Sequence, residues 1–289
     1  MTHTTFFETR TWTGSGEGRI NEDYAVIRTD ARCAVLVDGA TGLTKVNLVA
    51  GETDASWYAR ELAQQTAALL EDPAMPAARA LAQAGTAVAE EYLHMPGSSA
   101  LGREDLPNGS VAILRWSEDK LEVTMLGDCT AVVTLADGSA RLVHDATLDE
   151  LDRQNYERMF CYATQNNATM AQARKALNDR FIENRLKMNE PGGYWAADAT
   201  CRGFGHELVE RFPMAQVTGA FACSDGFVAA VEMGVTADET SLAQDVLAGK
   251  GEQVARALRD AEQADRDLMR VHRSKISDDA TYIAIAFEQ

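Results

Sequence analysis

The sequence feature that most constrains the fold is a short apolar run that stops at an Asp-Gly pair. Residues 33–37 are all apolar, and Asp38 and Gly39 follow them directly. A run of this length, rich in Val, predicts a buried β-strand. Gly39 lets the backbone turn without a Cβ clash, and the Asp38 carboxylate with the Gly39 carbonyl offers two oxygens to a hard cation. Asp-Gly is also a common turn signal, so the pair alone leaves both interpretations open.

The same combination of an apolar strand and an acidic residue recurs along the chain. Four predicted strands each meet an Asp at one end, and these residues are Asp38, Asp128, Asp225 and Asp278. Carboxylates gathered in one place repel one another unless a cation lies between them or one takes up a proton. Oxygen ligands alone favour Mg²⁺ or Mn²⁺ over zinc, for which His and Cys would be expected. A carboxylate that bridges two such ions, roughly 3.5–4 Å apart, is a known way to activate water for phosphoryl chemistry.

The composition excludes several classes of function. The chain has 289 residues, of which 46% are hydrophobic and 25% charged, as in ordinary folded proteins. Its formal net charge of -17 argues against nucleic acid and anionic membranes as partners, because both need basic patches. An anionic substrate would therefore need a local positive centre, such as a bound metal. No Ser-His-Asp or Cys-His set and no phosphate-binding P-loop stands out.

The cysteines and the N-terminal residues predict a cytoplasmic protein. The five cysteines include no C-x-x-C pair, and several lie in apolar runs, as expected of buried, reduced thiols. The N-terminus lacks the basic and apolar regions of a secretion signal, and no apolar run is long enough to cross a bilayer.

Strands cluster and helices come in pairs, which predicts an α+β layered protein rather than a doubly wound sheet. An edge strand is expected at 4–12, and helical spacing recurs in four segments, 53–70, 77–92, about 238–247 and 251–270. Short turns join three apolar runs that are predicted to form antiparallel hairpins, namely 109–116, 121–126 and 131–135. No repeat or linker divides the chain, so we expect one domain, 1–289.

Two further segments carry polar patterns of their own. The residues from about 145 to 190 are polar and helical, and we interpret them as an inserted element that covers one edge of the sheet. Earlier in the chain, the adjacent carboxylates Glu22 and Asp23 follow a Gly-rich loop that contains Arg19. This pair fits either a capped turn with solvated acids or a metal or phosphate site.

The order of these motifs resembles that of the PP2C-like (PPM) family of metal-dependent serine/threonine phosphatases. In chain order they are Asn21-Glu22-Asp23, Val37-Asp38-Gly39-Ala40-Thr41-Gly42, Gly127-Asp128, Ser224-Asp225-Gly226 and Asp278-Asp279-Ala280-Thr281. The resemblance spans nearly the whole chain and implies a four-layer α-β-β-α sandwich, in which helices flank two antiparallel sheets. The segment 145–190 falls where the family carries its variable flap.

The resemblance also implies a metal-binding role for the acidic residues. Asp38 would bridge two metal ions, Mn²⁺ or Mg²⁺, and the Gly39 carbonyl would bind one of them. Asp225 and Asp278 would bind the other ion, which makes Asp38, Asp225 and Asp278 the expected catalytic residues.

The remaining motif residues would act further from the two central ions. Glu22 and Asp23 would hold water molecules of the metal ions. Asp128, together with the Asp of the Ser-Asp-Gly motif, matches the position that holds a third, weaker metal in bacterial members.

The chain departs from the family pattern at three places. Two residues separate Arg19, the candidate phosphate-binding residue, from the Glu-Asp pair, whereas three usually separate them in the family. Ala40 replaces a His that animal members carry as the proposed general acid and that bacterial members often lack. Cys129-Thr130 replaces the commoner Ser-Arg, which we interpret as a packing variation.

Taken with the resemblance, the sequence predicts a phosphatase that hydrolyses phosphoserine or phosphothreonine in proteins, opposing a serine/threonine kinase. A metal-activated water would attack phosphorus directly. Two alternatives stay open: a catalytically silent signalling or binding module of the same fold, and a phosphatase of a small phosphorylated metabolite. The clustered carboxylates argue against a silent module, whereas metal ligands alone do not identify the leaving group.

Overall fold

The structure is a computed structural model that describes residues 7–17, 20–43, 46–271, 273 and 275–288. The described residues form strands that run in chain order as β1 Phe7–Gly14, β2 Asp23–Arg28, β3 Cys33–Ala40, β4 Asn108–Trp116, β5 Lys120–Leu126, β6 Thr130–Leu135, β7 Ala140–His144, β8 Ala197–Asp198, β9 Leu208–Pro213, β10 Val217–Cys223 and β11 Ala280–Phe287. The α-helices are α1 Asp54–Leu69, α2 Ala77–Leu93, α3 Thr147–Asn166, α4 Met170–Ala176, α5 Asn178–Arg185, α6 Asp225–Glu232, α7 Glu239–Leu247 and α8 Gly251–Ala264. Single 3-10 turns lie at Ser98–Ala100, Arg103–Asp105 and Met214–Gln216.

The strands form two antiparallel sheets. One is five-stranded with the order β1-β11-β10-β6-β7, and the other is six-stranded with the order β2-β3-β4-β5-β9 and β8 paired to β4. Strand β1 pairs with β11 along its whole length and is the edge strand that the sequence predicts. None of the described helices combines the length and apolar character needed to cross a membrane.

Alternation of side chains along the strands builds three apolar layers. In β3, Val35 and Val37 pack against α1 and α2, whereas Ala34 and Leu36 point into a core between the two sheets. The outer face of the five-stranded sheet packs against α6, α7 and α8, with Phe221 of β10 at the centre of that layer. The predicted α-β-β-α sandwich is therefore confirmed, because each sheet buries one face on helices and the other on its partner sheet.

The prediction of consecutive hairpins is correct only in part. Strands β4 and β5 pair, as do β6 and β7, but β5 and β6 lie in different sheets. The chain crosses between the sheets at Gly127, which has a φ of +94°. Strands β5 and β6 both direct alternate apolar residues into the core between the sheets. The crossing at Gly127 therefore lets each strand bury an apolar face in that core.

One predicted helix end needs correction, and three elements were not predicted. Helix α8 ends at Ala264 rather than near 270, because the Asp265 carboxylate accepts the backbone N–H groups of residues 269–271 at 3.2, 3.0 and 3.1 Å. The sequence analysis did not predict helix α6 or strands β7 and β9. Both strands are sheet edges with one exposed face, so neither has a continuous apolar run.

The inserted segment packs against the stretch that follows α8, and His144 of the edge strand β7 contacts Asp149 of α3 at 2.9 Å. Apolar side chains of α3 and α4 form a small cluster with Leu268 and Ile276, and no residue of a described strand belongs to it. Of the five cysteines, all free, Cys33, Cys129 and Cys223 are buried as expected, whereas Cys161 on this insert is exposed.

Asp54 fastens the start of α1 to the segment that follows the Asp-Gly strand. Its carboxylate is 3% exposed and accepts the N–H groups of Leu48 at 2.7 Å and Val49 at 2.9 Å. It also accepts the Tyr92 hydroxyl of α2 at 2.6 Å.

We expect Asp54→Ala to lower the free energy of unfolding by about 3 kcal/mol, since it leaves several buried donors without an acceptor. Tyr92→Phe should cost only about 1 kcal/mol, because the two N–H donors to Asp54 remain. Urea denaturation measures both values, with Asp72→Ala in an exposed turn as the control. Equal losses for Asp54→Ala and Asp72→Ala would contradict this interpretation.

Candidate active site

A row of polar side chains closes one end of the core between the sheets. Asp23, Asp38 and Ser110 stand opposite one another across β2, β3 and β4. Each continues the inward-facing series of its strand, which in β3 consists of Ala34 and Leu36. Strand periodicity therefore turns these polar groups into the space between the sheets.

The five-stranded sheet adds Ser224 and Thr281 to the same row. The Ser224 hydroxyl donates to Asp23 Oδ2 at 2.8 Å and accepts the Thr281 N–H at 2.9 Å. The other oxygen of Asp23, Oδ1, is buried and makes no hydrogen bond with any residue that the structure describes. Ser224 thus links its own motif to the motifs that contain Asp23 and Thr281. Asp23 Oδ1 is left as a buried carboxylate oxygen that can accept a further contact.

Asp225 and Asp278 reach this end from the helical side. The backbone N–H of Asp225, at the start of α6, donates to Asp38 Oδ2 at 3.4 Å. A Cβ on Gly226 would lie 1.9 Å from the Asp279 carbonyl oxygen and 2.9 Å from Asp278 Cβ. The Ser-Asp-Gly motif therefore needs its glycine so that it can lie directly against the Asp-Asp pair.

Asp128 is held at the point where the chain changes sheets. Its Oδ1 accepts the Ser110 hydroxyl at 2.5 Å, and its N–H donates back to that hydroxyl at 3.2 Å. A Cβ on Gly127 would lie 2.3 Å from the same hydroxyl oxygen. Gly127 is thus required both by its positive φ and by this close approach.

Glu22 and Gly39 lie against each other. The Gly39 N–H donates to the Glu22 carbonyl at 3.2 Å, and a Cβ on Gly39 would lie 2.5 Å from that carbonyl oxygen. The Glu22 carboxylate accepts both the hydroxyl and the N–H of Thr41. Gly39 thereby fixes the backbone of Glu22, and Thr41 fixes its side chain.

Asp279 has a role that the sequence did not reveal. Its carboxylate accepts the N–H of Gly16 at 2.8 Å and the N–H of Glu22 at 2.7 Å, so it holds both ends of the Gly-rich loop. Arg19, the predicted phosphate-binding residue, belongs to this loop but lies outside the described residues. A motif of two identical neighbours gives no sign of which carboxylate faces the site and which supports the loop.

The second residue that the sequence did not single out is Lys275. Its Nζ forms an ion pair with Asp278 Oδ2. The only signal in the sequence is a basic residue three positions before Asp278, which is too common a spacing to predict a role.

Burial and neighbouring acidic groups raise the pKa values of Asp38, Asp225 and Asp128. Burial raises the pKa of Asp38 well above its usual range, and the charges of Asp23, Asp225, Asp128 and Asp278 add to that effect. Burial likewise raises the pKa of Asp225, with Asp278 as the strongest acidic neighbour. The pKa of Asp128 is raised chiefly by burial, against the hydrogen bond from Ser110.

Asp23 shows the same effect in the interior of the row. Burial raises the pKa of Asp23 to about 7, although the Ser224 and Thr281 hydrogen bonds act in the opposite direction. A group with these surroundings gains a proton, or a cation, more readily than a solvent-exposed Asp does.

The chemistry of this donor set fits a hard divalent cation. The side chains that meet here offer oxygen atoms, one of them the unpaired Oδ1 of buried Asp23. Asp128, Asp225 and Asp278 line a cleft of about 480 Å³ beside the row. Among the described residues, no three His, Cys, Asp or Glu side chains already form a closed metal-binding group. The ion pair with Lys275 engages Oδ2 of Asp278, one of these candidate ligands.

No protein-family model matches the chain, and no curated protein matches it in sequence. Solved structures do match it. The Mycobacterium tuberculosis serine/threonine phosphatase PstP/Ppp is 15% identical, with a TM-score of 0.58 over 99% of this chain and 100% of that one. The serine/threonine phosphatase Stp1 from Staphylococcus aureus is 13% identical, with a TM-score of 0.57 over 99% of this chain and 96% of that one.

A third match was solved with metal ions. The catalytic domain of the serine/threonine protein phosphatase PstP in complex with two manganese ions is 17% identical, with a TM-score of 0.56 over 99% of this chain and 100% of that one. The chain thus has the fold of bacterial PP2C-type serine/threonine phosphatases.

We predict that the metal-free protein loses stability as the pH rises from about 5 to about 8. A carboxyl group whose pKa is higher in the folded than in the unfolded state stabilises the protein at low pH. That contribution disappears as the pH passes through the folded-state value, which is about 7 for Asp23. Melting temperatures in EDTA should therefore fall across this range.

Variants test the source of this pH dependence. Asp38→Asn should weaken the fall because it removes one interacting charge from the row. Asp137→Asn is the control, because hydrogen bonds from Ser139 lower the pKa of this exposed turn residue and it titrates below the range. A melting temperature that stays constant or rises between these pH values in wild-type protein would contradict the electrostatic description.

Proposed function

We propose that this protein is a metal-dependent phosphomonoester hydrolase that acts on phosphoserine and phosphothreonine in proteins. The observation that carries the proposal is the convergence of carboxylates from both sheets at one end of the sandwich, where they raise one another's pKa values. Such a group is costly without a cation, and an all-oxygen set selects Mg²⁺ or Mn²⁺. The match to a phosphatase solved with two manganese ions supports the same ion class.

Each acidic residue has a proposed place around the ions. Asp38, central in the row, would bridge two ions, and the Gly39 carbonyl would bind one of them. Asp225 and Asp278 would bind the second ion from the helical side. When bound, the ions would activate a water for direct attack on phosphorus.

The outer residues would support this centre. Glu22, fixed by Thr41, and Asp23, with its free oxygen, would hold water molecules around the ions. Asp128 would hold a third, weaker ion beside the Ser110 hydroxyl. Arg19 stays a predicted contact for the substrate's phosphate.

The proposed substrate class rests on the matched structures, which are described as serine/threonine phosphatases. We propose that the protein works in the cytoplasm against a serine/threonine kinase. The measurement that tests the activity is hydrolysis of an aryl phosphate and of phosphoserine and phosphothreonine peptides, with and without added metal.

We expect hydrolysis only with Mn²⁺ or Mg²⁺, and EDTA should abolish it. Replacing Asp38, Asp225 or Asp278 by Asn removes a charge that offsets the ions, so kcat at saturating Mn²⁺ should fall at least about a hundredfold. Steady-state kinetics, with folding checked by circular dichroism, measures the effect.

Asp128→Asn is the matched control for this series. It removes a carboxylate of the same cleft but leaves the central pair of ions, so its kcat should fall much less than that of the other three. Full activity of wild-type protein in EDTA, or wild-type kinetics for both Asp38→Asn and Asp225→Asn, would refute the proposal.

The helical insert provides a separate prediction about substrate choice. A groove of about 760 Å³ runs between α3, α4 and the segment after α8, and it is lined by Phe160, Arg174 and Met269 among others. Lys275 lines both this groove and the cleft beside the carboxylates. A peptide bound in the groove would therefore extend into that cleft.

Phe160→Ser should raise KM for phosphopeptides several-fold, because it removes apolar contact surface, and should leave turnover of an aryl phosphate unchanged. Leu93→Ser, at an exposed apolar residue of α2, is the control and should change neither substrate. If Phe160→Ser impaired both substrates equally, the insert would have a role in the chemistry or the folding instead.

A further inference from the structure

Lys275 is a basic residue that contacts one of the candidate metal ligands. Its Nζ pairs with Asp278 Oδ2, and its side chain is 50% exposed against 28% for Asp278. It lines all three clefts that open around this end of the sandwich. The ammonium group is thus placed on a proposed metal ligand while its stem remains at the surface.

The charges of Asp278, Asp225 and Asp38 all act on this ammonium group. Together they raise the pKa of Lys275 above its ordinary value, in spite of the opposing effect of burial. A lysine ammonium is positively charged at neutral pH without any such shift. It supplies positive charge at the place where the surrounding oxygens are in excess.

The nearest other cation on the same segment is already engaged. Arg273 donates to the Asp265 carboxylate at 2.6 Å and to the backbone carbonyls of Glu262, Asp265 and Ile276. These bonds fix the loop after α8 and engage the donors of the Arg273 guanidinium, which lines the same cleft as Asp278. Lys275, by contrast, forms its ion pair with Asp278 itself.

We propose that Lys275 is an internal counter-cation of the metal site, whose ammonium group occupies Asp278 in the metal-free protein and must leave when a divalent ion binds. This inference rests on the proposed metal-dependent function. A lysine suits the role because its ammonium is a point charge on a flexible four-carbon stem. Metal binding would break the ion pair, so Lys275 would lower the affinity of the site for the ion. The same ion pair would stabilise the folded protein when no ion is bound.

A simple surface ion pair would behave differently. Such pairs contribute little to stability and do not alter a metal site elsewhere. The chain has a matched example in Lys250, which pairs with Asp245 at 2.8 Å and has a side chain 56% exposed. Lys250→Met makes the same change in net charge as Lys275→Met but at a site outside the carboxylate row.

Calorimetric titration of Mn²⁺ into wild type, Lys275→Met and Lys250→Met tests the proposal, together with their melting temperatures in EDTA. Lys275→Met should bind Mn²⁺ roughly tenfold more tightly, because the ion no longer competes with a like charge. In EDTA it should melt at a lower temperature than wild type, because the carboxylates lose their counter-cation. Lys250→Met should match wild type in affinity, and Lys275→Arg, which keeps the charge, should stay close to it.

Equal or weaker Mn²⁺ affinity in folded Lys275→Met would overturn the role of Lys275 while leaving the metal-dependent function intact. Absence of Mn²⁺ binding in every protein would overturn the proposed function and the inference with it. Should Lys275→Met fail to fold in EDTA, Lys275→Gln gives the same comparison with a polar side chain, and its affinity decides the question.

Discussion

The repulsion among carboxylates at one end of the sandwich is the constraint on which the rest of this site depends. Asp38 lies beside Asp23 across the sheet, and its Oδ2 accepts the N–H of Asp225 from the opposite layer. A few specific bonds offset this repulsion, chiefly the hydrogen bond from the Ser224 hydroxyl to Asp23 and the ion pair of Lys275 with Asp278. Such an arrangement is costly to folding, which is the usual mark of a site kept for binding or catalysis.

The architecture explains how distant parts of the chain reach this place. Two sheets share one apolar core, so the strand positions that end this core point toward each other from both sides. Glycines then allow the connecting segments to approach: Gly39 against Glu22, Gly127 against Ser110, and Gly226 against Asp279. Gly39 and Gly226 lie against backbone carbonyl oxygens and Gly127 lies against the Ser110 hydroxyl, so the candidate site is part of the fold rather than an addition to its surface.

Much of this could be predicted from the sequence, because strands that end in Asp leave a strong local pattern and the order of the motifs resembles one family. The four-layer arrangement was implied by that resemblance, and the apolar runs predicted most of the strands. The pattern could not show that β5 and β6 belong to different sheets, since a tight turn and a crossing look alike in sequence. Nor could it separate the parts played by Asp278 and Asp279, because the two are identical neighbours, or find Lys275, because its contact with Asp278 is visible only in the folded loop.

We propose that Asp38, Asp225 and Asp278 together bind divalent ions at this end of the sandwich. The most direct measurement is a crystal structure of the protein with Mn²⁺, using anomalous scattering to locate the metal. The account predicts two anomalous peaks bridged by Asp38, with Asp225 and Asp278 on one of them and the Lys275 ammonium moved away from Asp278. Well-ordered crystals at saturating Mn²⁺ with no peak among these carboxylates, and Lys275 still paired to Asp278, would contradict it.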